Sequence, residues 1–272
     1  MAEPQTSLQS APNTRGTRRL TVRLARDAQD LAAVQRLRWQ VFFAEMGAAQ
    51  ILCSEHDAPT PGLDSDAYDA VCDHLLVIDE GAPEDIQVVG TYRLLRESVA
   101  RGAGGFYSAG EFDLSPLIAS AQPGRELLEL GRSCVLPAYR TSATIQLLWR
   151  GIADYIGQHS IGALFGCASF PGIDPDAHAE ALSCLAHHHL APVECRPVVK
   201  DGVALERLPR GSYDERRALF LLPPLVKGYM RVGAQFGDGA YIDHAFNTVD
   251  VCVLMPVEAI AGRYASRFSV AA

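Results

Sequence analysis

The run Leu127-Leu128-Glu129-Leu130-Gly131-Arg132-Ser133-Cys134-Val135-Leu136-Pro137-Ala138-Tyr139-Arg140-Thr141-Ser142-Ala143-Thr144-Ile145-Gln146-Leu147-Leu148-Trp149-Arg150 decides the fold. Its first part is apolar apart from Glu129, so it reads as a short buried strand that carries one carboxylate. Pro137 stops the strand, because proline has no N–H to give to a ladder. Arg140, Thr141 and Ser142 then turn the chain into a helix whose Ile145, Leu148, Trp149, Ile152, Tyr155 and Ile156 fall on one stripe. Gly157 is expected to end it. The first N–H groups of a helix lack partners within it, so this helix start is a place where a phosphate can sit.

Outward from this run, strands and helices alternate. Residues 19 to 25 alternate as a strand, and Asp27 is an expected N-cap for a helix with Leu31, Val34, Leu37 and Val41 on one face. Residues 47 to 73 show no sustained period and read as a long acidic loop. Strands are expected over 74 to 78 and 87 to 95, joined by a Gly-Ala-Pro turn, and over 163 to 168. Asp174-Pro175 opens a further helix towards His189, and residues 196 to 217 form a surface excursion. Residues 241 to 246 and 249 to 255, parted by Asn247-Thr248, make a closing hairpin before a last helix from about 257 to 268. The pattern is that of an α/β fold around a mixed sheet.

The chain has 272 residues, 48% of them hydrophobic, which is ample for a sizeable core. Residues 1 to 18 hold hardly any large apolar side chain and are expected to be a disordered tail before one folded domain over 19 to 268. The tail lacks the apolar stretch of a signal peptide. The longest apolar run, 218 to 226, is too short to cross a bilayer and is broken by Pro223 and Pro224. Seven cysteines without a C-x-x-C pair argue against a disulfide framework and a zinc site, so a reducing cytoplasm is the expected setting. A formal charge of −8 disfavours nonspecific nucleic-acid binding. The cations are nearly all arginine, the side chain that grips phosphate and carboxylate by a fork.

The segment Val135-x-Pro137-x-Tyr139-Arg140, leading into an amphipathic helix, resembles the central motif of the GNAT superfamily of N-acyltransferases. That resemblance implies a mixed, mostly antiparallel central sheet flanked by helices. Acyl transfer from a thioester to an amine needs a neutral amine, donors for the developing oxyanion and a seat for the pantetheine phosphate. Glu129 is the candidate base, directly or through a water, against the plainer reading of a carboxylate paired for stability. Strict alternation puts Glu129 and Arg132 on opposite faces, so a shared pocket requires a bulge, which Gly131 would permit. The oxyanion donor is then a backbone N–H near Ser133 or Cys134. Cys134 as an acylated nucleophile has no His close in sequence, and direct transfer needs no covalent step. The His187-His188-His189 run suggests a metal less than it suggests cations at a helix end, so no metal is expected.

Superfamily members usually carry R/Q-x-x-G-x-G/A at the phosphate turn, whereas Ala143 and Ile145 occupy the glycine positions here. Side chains there crowd a diphosphate. Val135, Arg140, Thr141 and Ser142 can still hold a single phosphate, which favours acyl carrier protein over coenzyme A as donor, with no other cofactor expected.

Further runs are more specific. Arg36-Leu37-Arg38-Trp39-Gln40-Val41-Phe42, Cys72-Asp73-His74-Leu75-Leu76-Val77 and Val89-Gly90-Thr91-Tyr92-Arg93-Leu94-Leu95 are three of them. With Glu111-Phe112-Asp113-Leu114-Ser115, Leu222-Pro223-Pro224-Leu225-Val226-Lys227-Gly228-Tyr229 and Phe246-Asn247-Thr248-Val249-Asp250-Val251 they resemble the bacterial ornithine N-acyltransferases that begin ornithine-lipid synthesis. The resemblance implies transfer of a 3-hydroxyacyl group from acyl carrier protein to the α-amine of L-ornithine, giving lyso-ornithine lipid. More distantly, Arg38, Asp66, Asp69, Arg93, Glu129 and Arg132 fall on the pattern of acyl-homoserine-lactone synthases. A noncatalytic acyl-binding protein is the alternative of another class, and Glu129 speaks against it.

An α-amino group has a pKa of about 8 and a side-chain amine about 10.4, a difference of roughly 3 kcal/mol in favour of deprotonating the α-amine. The side-chain ammonium then needs a carboxylate, for which Asp66, Asp69 or Asp73 stand in the acidic loop, while Arg38 or Arg93 is expected to hold the substrate carboxylate. The apolar run 220 to 226 is expected to line the acyl channel or to meet the inner membrane. Lys227, Arg231, Arg140 and Arg150 are candidates for docking an acidic carrier protein.

Overall fold

A computed structural model describes residues 18–48, 60–83 and 86–260. The chain enters on β1 (Leu20–Leu24) and α1 (Ala28–Trp39), where the Asp27 side chain accepts the N–H groups of Gln29 and Asp30 as the expected cap. One π-helical turn, Gln40–Glu45, extends α1. Strands β2 (Asp73–Asp79) and β3 (Val88–Arg96) follow, then α2 (Glu97–Gly102), the short β4 (Phe112–Asp113) and α3 (Ser115–Ala119). The deciding run forms β5 (Glu126–Val135) and α4 (Ser142–His159). After β6 (Ile161–Pro171) and α5 (Ala179–His188), the excursion carries β7 (Val198–Val199) and α6 (Glu215–Leu221). The chain closes on α7 (Pro224–Arg231), β8 (Gln235–Phe236), β9 (Tyr241–Asp243) and β10 (Thr248–Pro256).

The main sheet runs β1-β2-β3-β5-β6-β10-β8, with β9 beside β10, and among the described strands only β5 and β6 pair in parallel. It is the mixed, mostly antiparallel sheet expected above. The β9–β10 hairpin turns at Asn247, whose φ of 54° lies in the left-handed region that asparagine tolerates. Helix α4 lies on β1 and β2 so closely at Gly151 that a Cβ there would come within 2.7 Å of Leu75.

Three local expectations change. Helix α4 runs past Gly157 to His159 and is closed by Ser160, at φ 51°, whose N–H reaches the Ile156 carbonyl. Gly157 is exposed, so the missing side chain costs only helix propensity, about 1 kcal/mol. Asp174 does cap, but it opens a 3₁₀ turn, Pro175–His178, before α5 begins. The bulge in β5 is present, since Thr91 faces Cys134 and Arg93 faces Gly131, leaving Tyr92 opposite both Arg132 and Ser133. Its left-handed residue, however, is Arg132, at φ 49°, and not Gly131. Such a backbone costs a non-glycine residue about 1–2 kcal/mol, which the contacts of the Arg132 side chain must offset. Of the last helix, residues 257–260 are helical, and the remainder, like the tail over 1–17, lies outside the described residues.

The parallel pair β5–β6 holds together only from Glu126 to Glu129, opposite Ile161 to Phe165. Beyond that point the strands part. Gly166 sits at the fork, where a Cβ would stand 2.2 Å from the Leu130 carbonyl oxygen. Gly166→Ala is therefore expected to cost about 3 kcal/mol, because the clash is with backbone and neither strand can yield without losing pairing. Denaturant unfolding measures this, and an unchanged midpoint would show that the fork has slack.

Candidate active site

The parting of β5 and β6 opens a cleft of about 950 Å³. Glu129, Arg132, Ser133, Cys134 and Val135 from β5 line it, with Arg140, Thr141 and Ser142 from the turn and the start of α4, and Arg93 from β3. The far wall is β10 and the approach to α7, including Thr248, Pro223, Pro224 and Tyr229. Arg38, Asp66 and Asp69 do not line it.

Glu129 is 3% exposed and stands at the fork. One carboxylate oxygen accepts the Ser108 N–H at 2.6 Å and the Ser108 hydroxyl at 2.5 Å, while the other accepts the Tyr107 N–H at 2.8 Å. Burial pushes its pKa above the usual carboxylate range, and these hydrogen bonds pull it part of the way back. The contacts also anchor the 3₁₀ turn Tyr107–Gly110. Burial pushes the neighbouring Cys134 thiol up to about 12, so it stays a thiol at neutral pH.

Behind this wall the arginines and aspartates form a closed ring. Arg38 pairs with Asp69 at 2.7 Å and with Asp64 at 2.8 Å, and Arg93 pairs with Asp66 at 2.6 Å and with Asp69 at 3.2 Å. Arg132 closes the ring to Asp64 and Asp66, both at 3.2 Å, with its guanidinium between the rings of Tyr107 and Phe246. Arg38 is fully buried and also donates to the Asp64 carbonyl, so it does not reach a substrate in the cleft. Asp66 and Asp69 face arginines rather than an incoming amine, and Asp73 accepts the Tyr155 hydroxyl at 2.6 Å. Of the expected carboxylate grips, Arg93 alone borders the cleft, and its Nη2 makes no hydrogen bond among the described residues.

At the phosphate turn, Thr141 caps α4 through its hydroxyl. Arg140 is held by a two-pronged pair with Glu45, 2.7 Å on each side, and by the Val135 carbonyl. The π-helical turn delivers Glu45 to that position. Ile145 is 42% exposed at the cleft, so it is not part of the buried helix stripe.

Sequence reasoning gave no role to several lining residues. Tyr92 and Tyr229 meet hydroxyl to hydroxyl at 3.1 Å beside the bulge, and burial raises the pKa of both. Glu111, Asp243 and Asp250, which line the cleft, come within 4.8 Å of one another. Their presence in acid-bearing runs was visible, but not their meeting. The histidine run diverges as expected for a helix end: His187 meets Tyr213 and Glu206, and His188 meets Glu215.

Residues 37–150 match the acetyltransferase (GNAT) domain family. Over 254 residues the chain is 50% identical to the L-ornithine N(alpha)-acyltransferase of Agrobacterium fabrum (strain C58), covering 92% of this chain and 85% of that protein. It is 49% identical over 256 residues to the L-ornithine N(alpha)-acyltransferase of Rhizobium meliloti (strain 1021), covering 90% and 82%. Among solved structures, FeeM, an N-acyl amino acid synthase from uncultured soil microbes, is similar with a TM-score of 0.51 and 12% identity, covering 91% of this chain and 96% of that one, a likeness of fold. With the GNAT sheet in place and half of its residues shared over nine tenths of its length, the chain is an acyltransferase and belongs to the L-ornithine N(alpha)-acyltransferase family.

Proposed function

We propose that the protein transfers a 3-hydroxyacyl group from the pantetheine thioester of acyl carrier protein to the α-amine of L-ornithine, giving lyso-ornithine lipid. The observation that carries this reading is the fork after Glu129, which puts a buried carboxylate, a strand edge without a partner and a helix start along one cleft. Glu129 takes a proton from the α-ammonium, directly or through a water, and the freed amine attacks the thioester carbonyl. Backbone N–H groups past the bulge, at Ser133 or Cys134, stabilise the oxyanion. When the tetrahedral intermediate collapses, the C–S bond breaks and the pantetheine thiolate leaves. The attacking nitrogen gives up its second proton as this happens, and the Tyr92 and Tyr229 hydroxyls, kept protonated by burial and in contact with one another, relay it to the thiolate, while Glu129 returns the first proton to solvent.

Arg93, with one free donor nitrogen at the cleft wall, is the grip for the ornithine carboxylate. The exposed side chain of Ile145 stands where a diphosphate would need backbone approach, which favours the single phosphate of a carrier protein. Arg150, exposed on α4, is a docking contact for the acidic carrier. No described helix is long and apolar enough to cross a membrane. Phe220, 78% exposed next to Leu219 and Leu221 on α6, offers an apolar point for contact with a membrane surface.

Incubation of the purified protein with a 3-hydroxyacyl carrier protein or the matching coenzyme A thioester, with L-ornithine, tests the reading by thiol release and product mass. The α-amide is expected from the carrier protein, with kcat/KM at least 100-fold higher than from coenzyme A, about 3 kcal/mol of discrimination. Equal rates from the two donors would remove the carrier-protein assignment. Thiol release without an ornithine amide would remove ornithine.

A further inference from the structure

Glu111, Asp243 and Asp250 are each less than 9% exposed, and their carboxylate oxygens lie within 4.8 Å of one another. Among the described residues no arginine, lysine or histidine forms an ion pair with any of them. Asp243 is partly engaged, accepting the N–H groups of Ala245 at 2.7 Å and Phe246 at 2.9 Å. Glu111 accepts the Cys167 thiol at 3.1 Å. Asp250 Oδ1 and, beside it, the hydroxyl of Thr248, which is 2% exposed, have no hydrogen-bond partner of good geometry although both residues line the cleft. Buried acceptors without donors cost free energy unless a ligand supplies the donors. Burial first, and then Asp250 and the other acids, push Glu111 up to about 8; burial pushes Asp250 up to about 6, although the neighbouring Ser169 and Thr248 side chains draw it part of the way down. Such an arrangement is unfavourable when empty and is relieved by one cation with several N–H groups.

A short chain of contacts ties this trio to the proposed base. Glu129 accepts the Ser108 hydroxyl at 2.5 Å, Ser108 Oγ meets the Cys167 sulfur at 3.4 Å, and Cys167 meets Glu111 at 3.1 Å. The two carboxylate sites therefore lie at neighbouring points of one cleft, as the two amines of one diamino acid require. We infer that Glu111, Asp243 and Asp250, with the Thr248 hydroxyl, form the pocket for the side-chain ammonium of the amino-acid acceptor. This inference rests on the proposed function and adds to it the residues that select a cationic side chain, a role expected above of Asp66 or Asp69. An ammonium group has three N–H donors and suits three acceptors, whereas Mg²⁺ or Ca²⁺ seeks six or more oxygens.

The test compares L-ornithine with L-norvaline, which has the same chain without the terminal amine, at saturating acyl donor. Wild type, Asp250→Asn, Glu111→Gln and Asp250→Glu are measured as full chains. The wild type is expected to favour ornithine by at least 100-fold in kcat/KM. Asp250→Asn and Glu111→Gln are expected to lose about 30- to 100-fold with ornithine, chiefly in KM, and little with norvaline. Asp250→Glu restores part of the preference. Thermal unfolding guards against a folding artefact, since losing an unpaired buried carboxylate should leave Tm equal or higher. If the wild type acylates ornithine and the variants keep its preference, the pocket assignment falls while the function stands. If EDTA abolishes activity and Mg²⁺ or Ca²⁺ restores it in the wild type but not in Asp250→Asn, the trio holds a metal and the inference falls. A wild type that acylates no amino acid overturns both readings.

Discussion

Glu129→Gln is expected to lower kcat by about 10²- to 10⁴-fold, the usual contribution of a positioned base. The isosteric amide cannot take a proton from an ammonium, yet it fills the same space at the fork. Some loss of stability accompanies it. One of its termini becomes an NH₂ facing either the Tyr107 N–H or the Ser108 donors, an arrangement worth about 1–3 kcal/mol. A purely structural Glu129 would show that loss of Tm with kcat falling only as folded protein is lost. The pH profile separates the two roles further. Burial holds the Glu129 pKa up while the Ser108 hydroxyl bond draws it down, so Ser108→Ala should raise it and move the acidic limb of kcat/KM to higher pH. A limb that stays in place under Ser108→Ala would show that another group is the base.

The deciding run was legible because its signals are local. An apolar stretch, a terminating proline and a 3.6-residue stripe specify β5 and α4 without reference to anything distant. The need for a bulge was legible too, from the parity of Glu129 and Arg132. Its location was not, because Arg132 is held at positive φ by partners from elsewhere: Asp64, Asp66, Tyr107 and Phe246. The same distance effect governs the charged residues. Arg38 and Asp69 are 31 positions apart, and no local rule tells that they satisfy one another rather than a substrate. Glu111 belongs to the segment before β4, while Asp243 and Asp250 sit on the closing hairpin, and they meet only because Glu111 lies against Cys167 of β6, the strand paired with β10. The sequence names each residue, but their pairing is a property of the sheet.

The ring of three arginines and three aspartates makes the largest stability claim. Asp69→Asn removes an anion that faces both Arg38 and Arg93 and leaves two buried guanidinium groups short of their partner. Breaking a buried pair in this way costs about 3–5 kcal/mol, which for a chain of this size lowers Tm by roughly 10 °C. The pH dependence has a defined sign. Burial would raise the Asp69 pKa, but the donors of Arg38, Gln35 and Arg93 outweigh it and hold the group well below the usual carboxylate range. The unfolded chain therefore takes up the proton first, and the stability from Asp69 is complete above about pH 4 and lost as pH falls below it. Glu111 acts in the opposite sense. Its folded value of about 8 exceeds the unfolded value of about 4.3, so the stability it lends is complete below the lower value and is lost as pH rises through 8. Without ligand these two groups place the optimum at about pH 4, where the acidic loss from Asp69 meets the decline from Glu111. Asp69→Asn flattens the acidic side of that curve, and Glu111→Gln the alkaline side. Denaturant melts of the three proteins from pH 3 to 9 check this, and an alkaline slope that survives Glu111→Gln would show that the acid cluster is not its source.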